Sequence, residues 1–347
     1  MDRVVVFFAV IVYAAIAAAK PPGDIPEGMM ALPSRPPVPA ENPQTPAKIA
    51  LGKQLYFETK LSVTGTVSCN HCHNVMAGGT DNQALSLGFA GQKGNRSSPT
   101  VWNAAYLSVQ FWDGRAASLE EQAKGPLINP AEMGFLGHNL VMKRILAIPG
   151  YVGEFKQAFG DGPYTIENAV KAIAAYERTL ITPNSAFDQY VRGHKKALSP
   201  EAHRGMLLVK SVGCTTCHFG PNFAGPSLAE GSGFYRKFPV FPGSGYEKEY
   251  KLTDDLGRYG ITHQDADKKA WRVPTWRNIA LAAPYFHNGL VPTLDLAVRV
   301  MAKMQLNQEL KEAEVRDIVA FLDSLTGEFP KQEMPRLPEV WNKTGLE

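Results

Sequence analysis

Apolar residues recur at helical spacing in several separate stretches of the chain, and each stretch carries the punctuation of helix ends. Ile49, Leu51, Leu55 and Tyr56 form an apolar face after Thr45-Pro46, with threonine at the cap and proline at the first helical position. Ser118 to Glu121 reads S-x-x-E, a capping box that opens a short helix. Helices are predicted over 139–148, closed by Pro149-Gly150, and over 165–181, where Ile166, Val170, Ile173, Ala174 and Leu180 fall near the helical period. Ser199-Pro200 opens another. Thr293 caps a helix carrying Leu296, Val300, Met301 and Met304, and the periodic run 312–326 is stopped by Gly327. Residues 219–260 are dense in glycine, proline and aromatics and read as loop. Strand signals are weak throughout, so the fold class is mainly α.

The ends of the chain read differently. Val4 to Ala19 is an apolar run after Arg3 that finishes in small residues before Lys20, the pattern of a signal peptide over 1–19. An uncleaved anchor is the alternative, but the run is short for a membrane span. Export to the periplasm is the expectation. Residues 20–46 are rich in proline and should form an extended arm. The chain has 347 residues and a formal charge of +3, which suits two or three domains and gives no argument for nucleic acid as a partner.

The chemistry lies in two short stretches, Cys69-Asn70-His71-Cys72-His73 and Cys214-Thr215-Thr216-Cys217-His218. Both read C-x-x-C-H, the signature of covalent c-type haem attachment. Two thiols one turn apart reach the two vinyl groups of a porphyrin, and the next histidine offers an imidazole nitrogen to the iron. The four cysteines of the chain all fall inside these motifs. A redox-active disulfide calls for a βαβ context that is absent here, and a four-cysteine zinc site leaves both histidines unexplained. A helix precedes each motif, so two cytochrome-like units are expected.

What completes each iron decides its use, because a strong second ligand makes an electron carrier and an open site makes a catalyst. Met301 and Met304 are candidates for the second haem, although each alone reads equally as a core methionine. Between 74 and 135 no methionine lies on a comparable helix; Met76 is very near the motif, and Met133 follows an acidic residue. That leaves room for an open side on the first haem, where Gln122 and Glu132 are candidates for acid–base work on peroxide. Taken alone, Glu132 reads as a solvated loop carboxylate.

From about Ala47 to Gly327 the chain resembles the bacterial di-haem cytochrome c peroxidases. The likeness rests on both haem motifs and on Gln92-Lys93-Gly94, Ser98-Pro99-Thr100-Val101, Gln110 to Ala117, Glu121 to Pro126, Arg272 to Thr275, Pro284-Tyr285-Phe286-His287 and Gln305-Leu306-Asn307. It implies two cytochrome c-like domains, over 47–185 and 186–327, with 328–347 folding back on the first. It implies that the first haem, with His73 proximal, is the peroxidatic one. Gln122 and Glu132 match the distal amide and catalytic carboxylate, and Trp112 the tryptophan between the haems. His218 and Met301 match the axial ligands of an electron-transfer haem, refilled by a small cytochrome c or blue-copper protein. The resemblance also implies a homodimer and a calcium ion between the domains, with Ser97 and the carbonyls of Ala282 and Pro284 as its ligands. Many relatives carry a distal histidine where this chain has Phe89. A side chain that cannot bind iron predicts an enzyme that needs no reductive activation; His71 and Met76 are substitutes poorly placed to reach the distal face. Two competing readings are a di-haem electron-transfer cytochrome without peroxidase activity and a relative of the di-haem enzyme of methylamine dehydrogenase maturation. In the latter a tyrosine replaces the second haem's methionine, which Met301 argues against.

Overall fold

The computed structural model describes residues 22–339. The segment read above as a signal peptide and the last eight residues lie outside that range. There are two helical units, each gathered around one C-x-x-C-H motif, and the second also carries a small antiparallel ribbon, with β1 (Tyr235–Lys237) paired to β2 (Ala270–Arg272).

In the first unit α1 (Pro46–Phe57) leads to the one-turn helix α2 (Cys69–Cys72), and α3 (Leu119–Ile128), α4 (His138–Leu146), α5 (Pro149–Phe159) and α6 (Ile166–Glu177) follow. The Thr45 hydroxyl accepts the Lys48 amide at the start of α1, with Pro46 at the first helical position, as the sequence indicates. Helices α1 and α6 cross so closely that a Cβ on Gly52 would lie 1.8 Å from the Ala172 carbonyl oxygen. Their buried faces (Leu51, Leu55 and Tyr56 against Ala169, Val170 and Ile173) form the centre of the first core. In the second unit α7 (Ala186–Val191) is followed by α8 (Pro200–Val212), which runs into the second motif. Two short helices, α9 (Gly245–Glu249) and α10 (Tyr259–Thr262), interrupt the loop region. Then α11 (Leu294–Leu306) and α12 (Glu312–Asp323) close the unit. Here α8 and α12 make the close crossing, with Gly205 against the Asp317 carbonyl.

Several local expectations need correction. Pro149 does not merely close a helix; it is the first residue of α5, where its missing N–H is no loss. The capping box at Ser118 is only half formed: Ser118 accepts the Glu121 amide, but the Glu121 carboxylate pairs with Lys124. Gly327 lies beyond the end of α12 and is needed for packing instead, since a Cβ there would meet the Thr182 carbonyl oxygen at 1.8 Å. The Thr293 side chain makes no capping bond to α11.

Both chain ends cross between the units. The arm starts on the second unit, where Met29 bridges Gly220, Arg277 donates to the Met30 carbonyl and the Leu32 amide donates to Asp188. It ends on the first, where Asn42 donates to Glu120 and to the Lys171 carbonyl. After α12 the chain runs to the first unit: Phe329 packs edge-on against Trp102, Tyr176 donates to Gln332 and Gln54 to the Arg336 carbonyl. Among the described residues no helix is long and apolar enough to cross a membrane.

Candidate functional site

Each motif presents its histidine in the same way. The Nδ1 of His73 donates to the Pro99 carbonyl at 2.9 Å, and that of His218 to the Phe223 carbonyl at 3.0 Å. A proton held at Nδ1 leaves Nε2 as the free lone pair, which is the form a metal needs. Burial lowers both imidazole pKa values, that of His218 to about 4, so both rings stay neutral. Tyr56 also donates to the His73 carbonyl at 2.7 Å, anchoring the first motif to α1.

The second motif opens on a cavity walled by aromatic and aliphatic side chains. Cys214, Cys217, His218, Trp276, Met301 and Trp112 all line it. The two methionines of α11 separate here. Met301 faces the cavity, whereas Met304 is fully buried in a neighbouring cluster and its sulfur accepts the Ser244 hydroxyl. The cavity suits a haem for a further reason. Arg272, 5 % exposed, lies in its wall and pairs with no carboxylate among the described residues; burial pushes its pKa down to about 10. His287 lies there too, stacked on Trp271 at 4.2 Å, with its buried Nε2 lacking a partner. Haem propionates are groups of the charge and acceptor character that these two residues lack. Neither Arg272 nor His287 has a role readable from sequence, because their isolation emerges only when β2 and the loop after Pro284 are packed.

Around the first motif the turn after α3 places Glu132. The amides of Glu132 and Gly134 both donate to the Asn129 carbonyl, and the Asn129 side chain donates to the Glu132 carboxylate at 2.7 Å. Glu132 is therefore not the solvated carboxylate that its sequence context alone suggests. Burial raises its pKa, with the Arg115 guanidinium and the Asn129 bond acting in the opposite direction. Its charge is close enough to add to the burial that raises the Cys69 and Cys72 thiol pKa values. Gln122 projects from α3, half-buried, and its amide has no hydrogen-bond partner among the described residues.

The loop carrying Phe89 is attached to the same turn. The Phe89 amide donates to the Glu132 carbonyl at 2.8 Å, and its ring lies where a Cβ on Gly134 would be. Gly88 is required there, since a Cβ would stand 2.1 Å from the Ala131 carbonyl oxygen. His71 and Met76 are both exposed, and Met133 is buried in the first core.

Trp112 joins the Ser97 loop to the second cavity. Its indole N–H donates to the Ser97 carbonyl, its own carbonyl accepts the Arg272 amide, and its ring lines the second cavity. Next to it Asp113, 1 % exposed, receives both Arg96 and Arg115, and Arg96 reaches on to Asp255 in the second unit. Ser97 is buried, and its amide donates to the His287 carbonyl, which brings it to the segment containing Ala282 and Pro284. The Asn82 amide takes the carbonyls of Leu281 and Ala283, while among the described residues no donor reaches those of Ala282 and Pro284.

Comparison with known proteins agrees with this geometry. A family model described as di-haem cytochrome c peroxidase matches residues 46–196. The cytochrome c551 peroxidase of Nitrosomonas europaea is 42% identical over 89% of this chain and 88% of its own length. That of Pseudomonas aeruginosa is 42% identical over 83% and 81%. The methylamine utilization protein MauG of Methylorubrum extorquens is 33% identical over 87% and 84%. Among solved structures, a MauG-like protein associated with microbial copper homeostasis superposes with a TM-score of 0.75 at 26% identity, covering 88% of this chain and 96% of its own. Extended likeness at this level of identity, together with two imidazoles prepared for metal and a carboxylate held beside the first, has one consequence: the chain belongs to the di-haem cytochrome c peroxidase family and is a peroxidase oxidoreductase with two haem groups.

Proposed function

We propose that the protein reduces hydrogen peroxide to water in the periplasm, at the first haem, with electrons received singly at the second from a small cytochrome c or blue-copper protein. Cys69 and Cys72 hold the first haem covalently with His73 beneath it. Cys214, Cys217, His218 and Met301 would hold the second. When bound, the first haem supplies an iron that takes the peroxide and the electrons that break its O–O bond. Glu132 accepts a proton from the near oxygen of peroxide and delivers it to the leaving oxygen. Gln122 orients the substrate through its free amide. Asn129 fixes the carboxylate, and burial raises its proton affinity above that of a free carboxylate. Trp112, bonded to the first unit and lining the second cavity, is the route for electrons between the sites.

The observation that supports the reading is the docking of the Phe89 loop on the Glu132 turn: the residue at the place where many relatives carry a histidine is a hydrocarbon ring, packed against Gly134. The distal side of the first haem is then open in the fully ferric enzyme, and no reductive activation is needed. Peroxide turnover by the as-isolated ferric protein, with and without prior one-electron reduction, tests this. Equal rates and a high-spin ferric EPR signal are expected; two low-spin haems with no turnover before reduction would reject it. Glu132→Gln should lower turnover by about 10²–10⁴ with both haem spectra unchanged. The proposal includes a homodimer, testable by light scattering. It also includes a calcium ion held by Ser97 and the carbonyls of Ala282 and Pro284, which no donor reaches among the described residues and which suit a hard cation; bound metal after dialysis measures it.

A further inference from the structure

The two proximal histidines share a hydrogen bond of the same kind, but their flanks differ. The His218 ring is covered face to face by the Trp276 indole, with centroids 4.3 Å apart and planes 15° from parallel. Trp276 in turn stacks on Phe223, at 5.7 Å and 20°. Phe223 is also the residue whose carbonyl accepts the His218 Nδ1 proton. To present that carbonyl it adopts a φ of +50°, a conformation that a bulky side chain rarely takes without strain. Packing holds it there: Phe223 is fully buried against Phe187 and Phe321. One aromatic set therefore restrains the imidazole twice, by its face through Trp276 and by its edge through the Phe223 carbonyl. Among the described residues no aromatic ring stacks on His73, whose Nδ1 is held by the Pro99 carbonyl.

We infer that Trp276 is a positioning residue for electron transfer, fixing the rotation of the His218 ring about its metal-bond axis so that the second site keeps one geometry in both oxidation states. The inference rests on the reading of His218 as an axial ligand. A hydrogen bond to Nδ1 limits tilt of the imidazole, but a carbonyl accepts over a broad range of directions. A flat ring laid on its face removes the remaining rotation. An electron-entry site benefits because little has to move when the charge changes. The peroxidatic site, whose coordination changes during turnover, has no such brace on His73.

The test compares Trp276→Leu with Trp276→Phe in the holoenzyme. Removing the stack in Trp276→Leu should shift and broaden the low-spin ferric EPR signal of the second haem and move its midpoint potential. Electron uptake from a reduced cytochrome c should slow by up to about tenfold, the limit reached if the whole energy of one aromatic pair enters the barrier. Trp276→Phe keeps a flat ring on His218 and should restore most of each readout. A Trp276→Leu protein that melts earlier but keeps the wild-type signal, potential and uptake rate would reduce the indole to a core side chain and overturn the inference. His218→Ala separates the two levels: if the second haem's low-spin signal survives it, the axial assignment has failed, whatever Trp276 does.

Discussion

Glu177, at the end of α6, is a carboxylic acid buried to 6 % exposure with one oxygen lacking any partner. Burial raises its pKa from 4.5 to about 8, the neighbouring Arg178 lowers it, and Glu120 raises it further. Arg178 gives limited help because its guanidinium is already engaged bidentately by Glu120. The folded protein thus binds this proton more tightly than the unfolded chain does. Between about pH 4.5 and 8 the native state holds the proton and the unfolded state releases it, so stability falls as pH rises through that window. At 1.36 kcal/mol per unit, the interval amounts to on the order of 5 kcal/mol by its upper end. Glu177→Gln removes the titration while keeping the shape. Urea unfolding followed by circular dichroism should show the wild-type midpoint dropping across this range by roughly 1 M or more, given the slope usual for a protein of this size. The variant's midpoint should stay level there and exceed the wild type on the alkaline side. Parallel curves for the two proteins would show that Glu177 is either hydrated or ionised in the fold.

Met301→Leu should change the spectrum and potential of the second haem, whereas Met304→Leu should leave both alone and cost less than about 1.5 kcal/mol in urea, as near-isosteric core exchanges do. Phe89→His should give the first haem a second protein ligand, seen as a low-spin ferric EPR signal and as turnover that begins only after prior reduction. Gly205→Ala drives a Cβ to 1.9 Å from the Asp317 carbonyl oxygen, so the α8–α12 crossing must open, at about 3 kcal/mol or more. Gly153→Ala, on α5 with open space around it, should raise the urea midpoint by an amount equivalent to about 0.5–1 kcal/mol.

How much of this was legible in the sequence follows the range of the forces involved. Helix starts at Thr45-Pro46 and Ser199-Pro200 are local chemistry, and both hydroxyls cap as the sequence indicates. The haem motifs are local as well. Pro149 misled because one residue can end one helix and begin the next, and only the turns on both sides decide which. Gly327 misled for a different reason: its need for a missing side chain comes from Thr182, far away in the chain. The choice between Met301 and Met304 could not come from periodicity, since both fit the α11 period; the family resemblance favoured the residue that the fold turns toward the cavity. Arg272, His287 and Trp276 carry no local signal. Their significance is the absence of a partner or the presence of a parallel ring, and both are properties of packing.

The two strands of chain that cross between the units run in the same sense: the beginning passes from the second to the first, and so does the segment after α12. A pair of halves lashed at both ends cannot swing apart on a single linker. On the proposed route through Trp112, the gap that electrons cross is then a fixed dimension of the fold, and trimming either lashing should loosen the wiring before it harms either terminal.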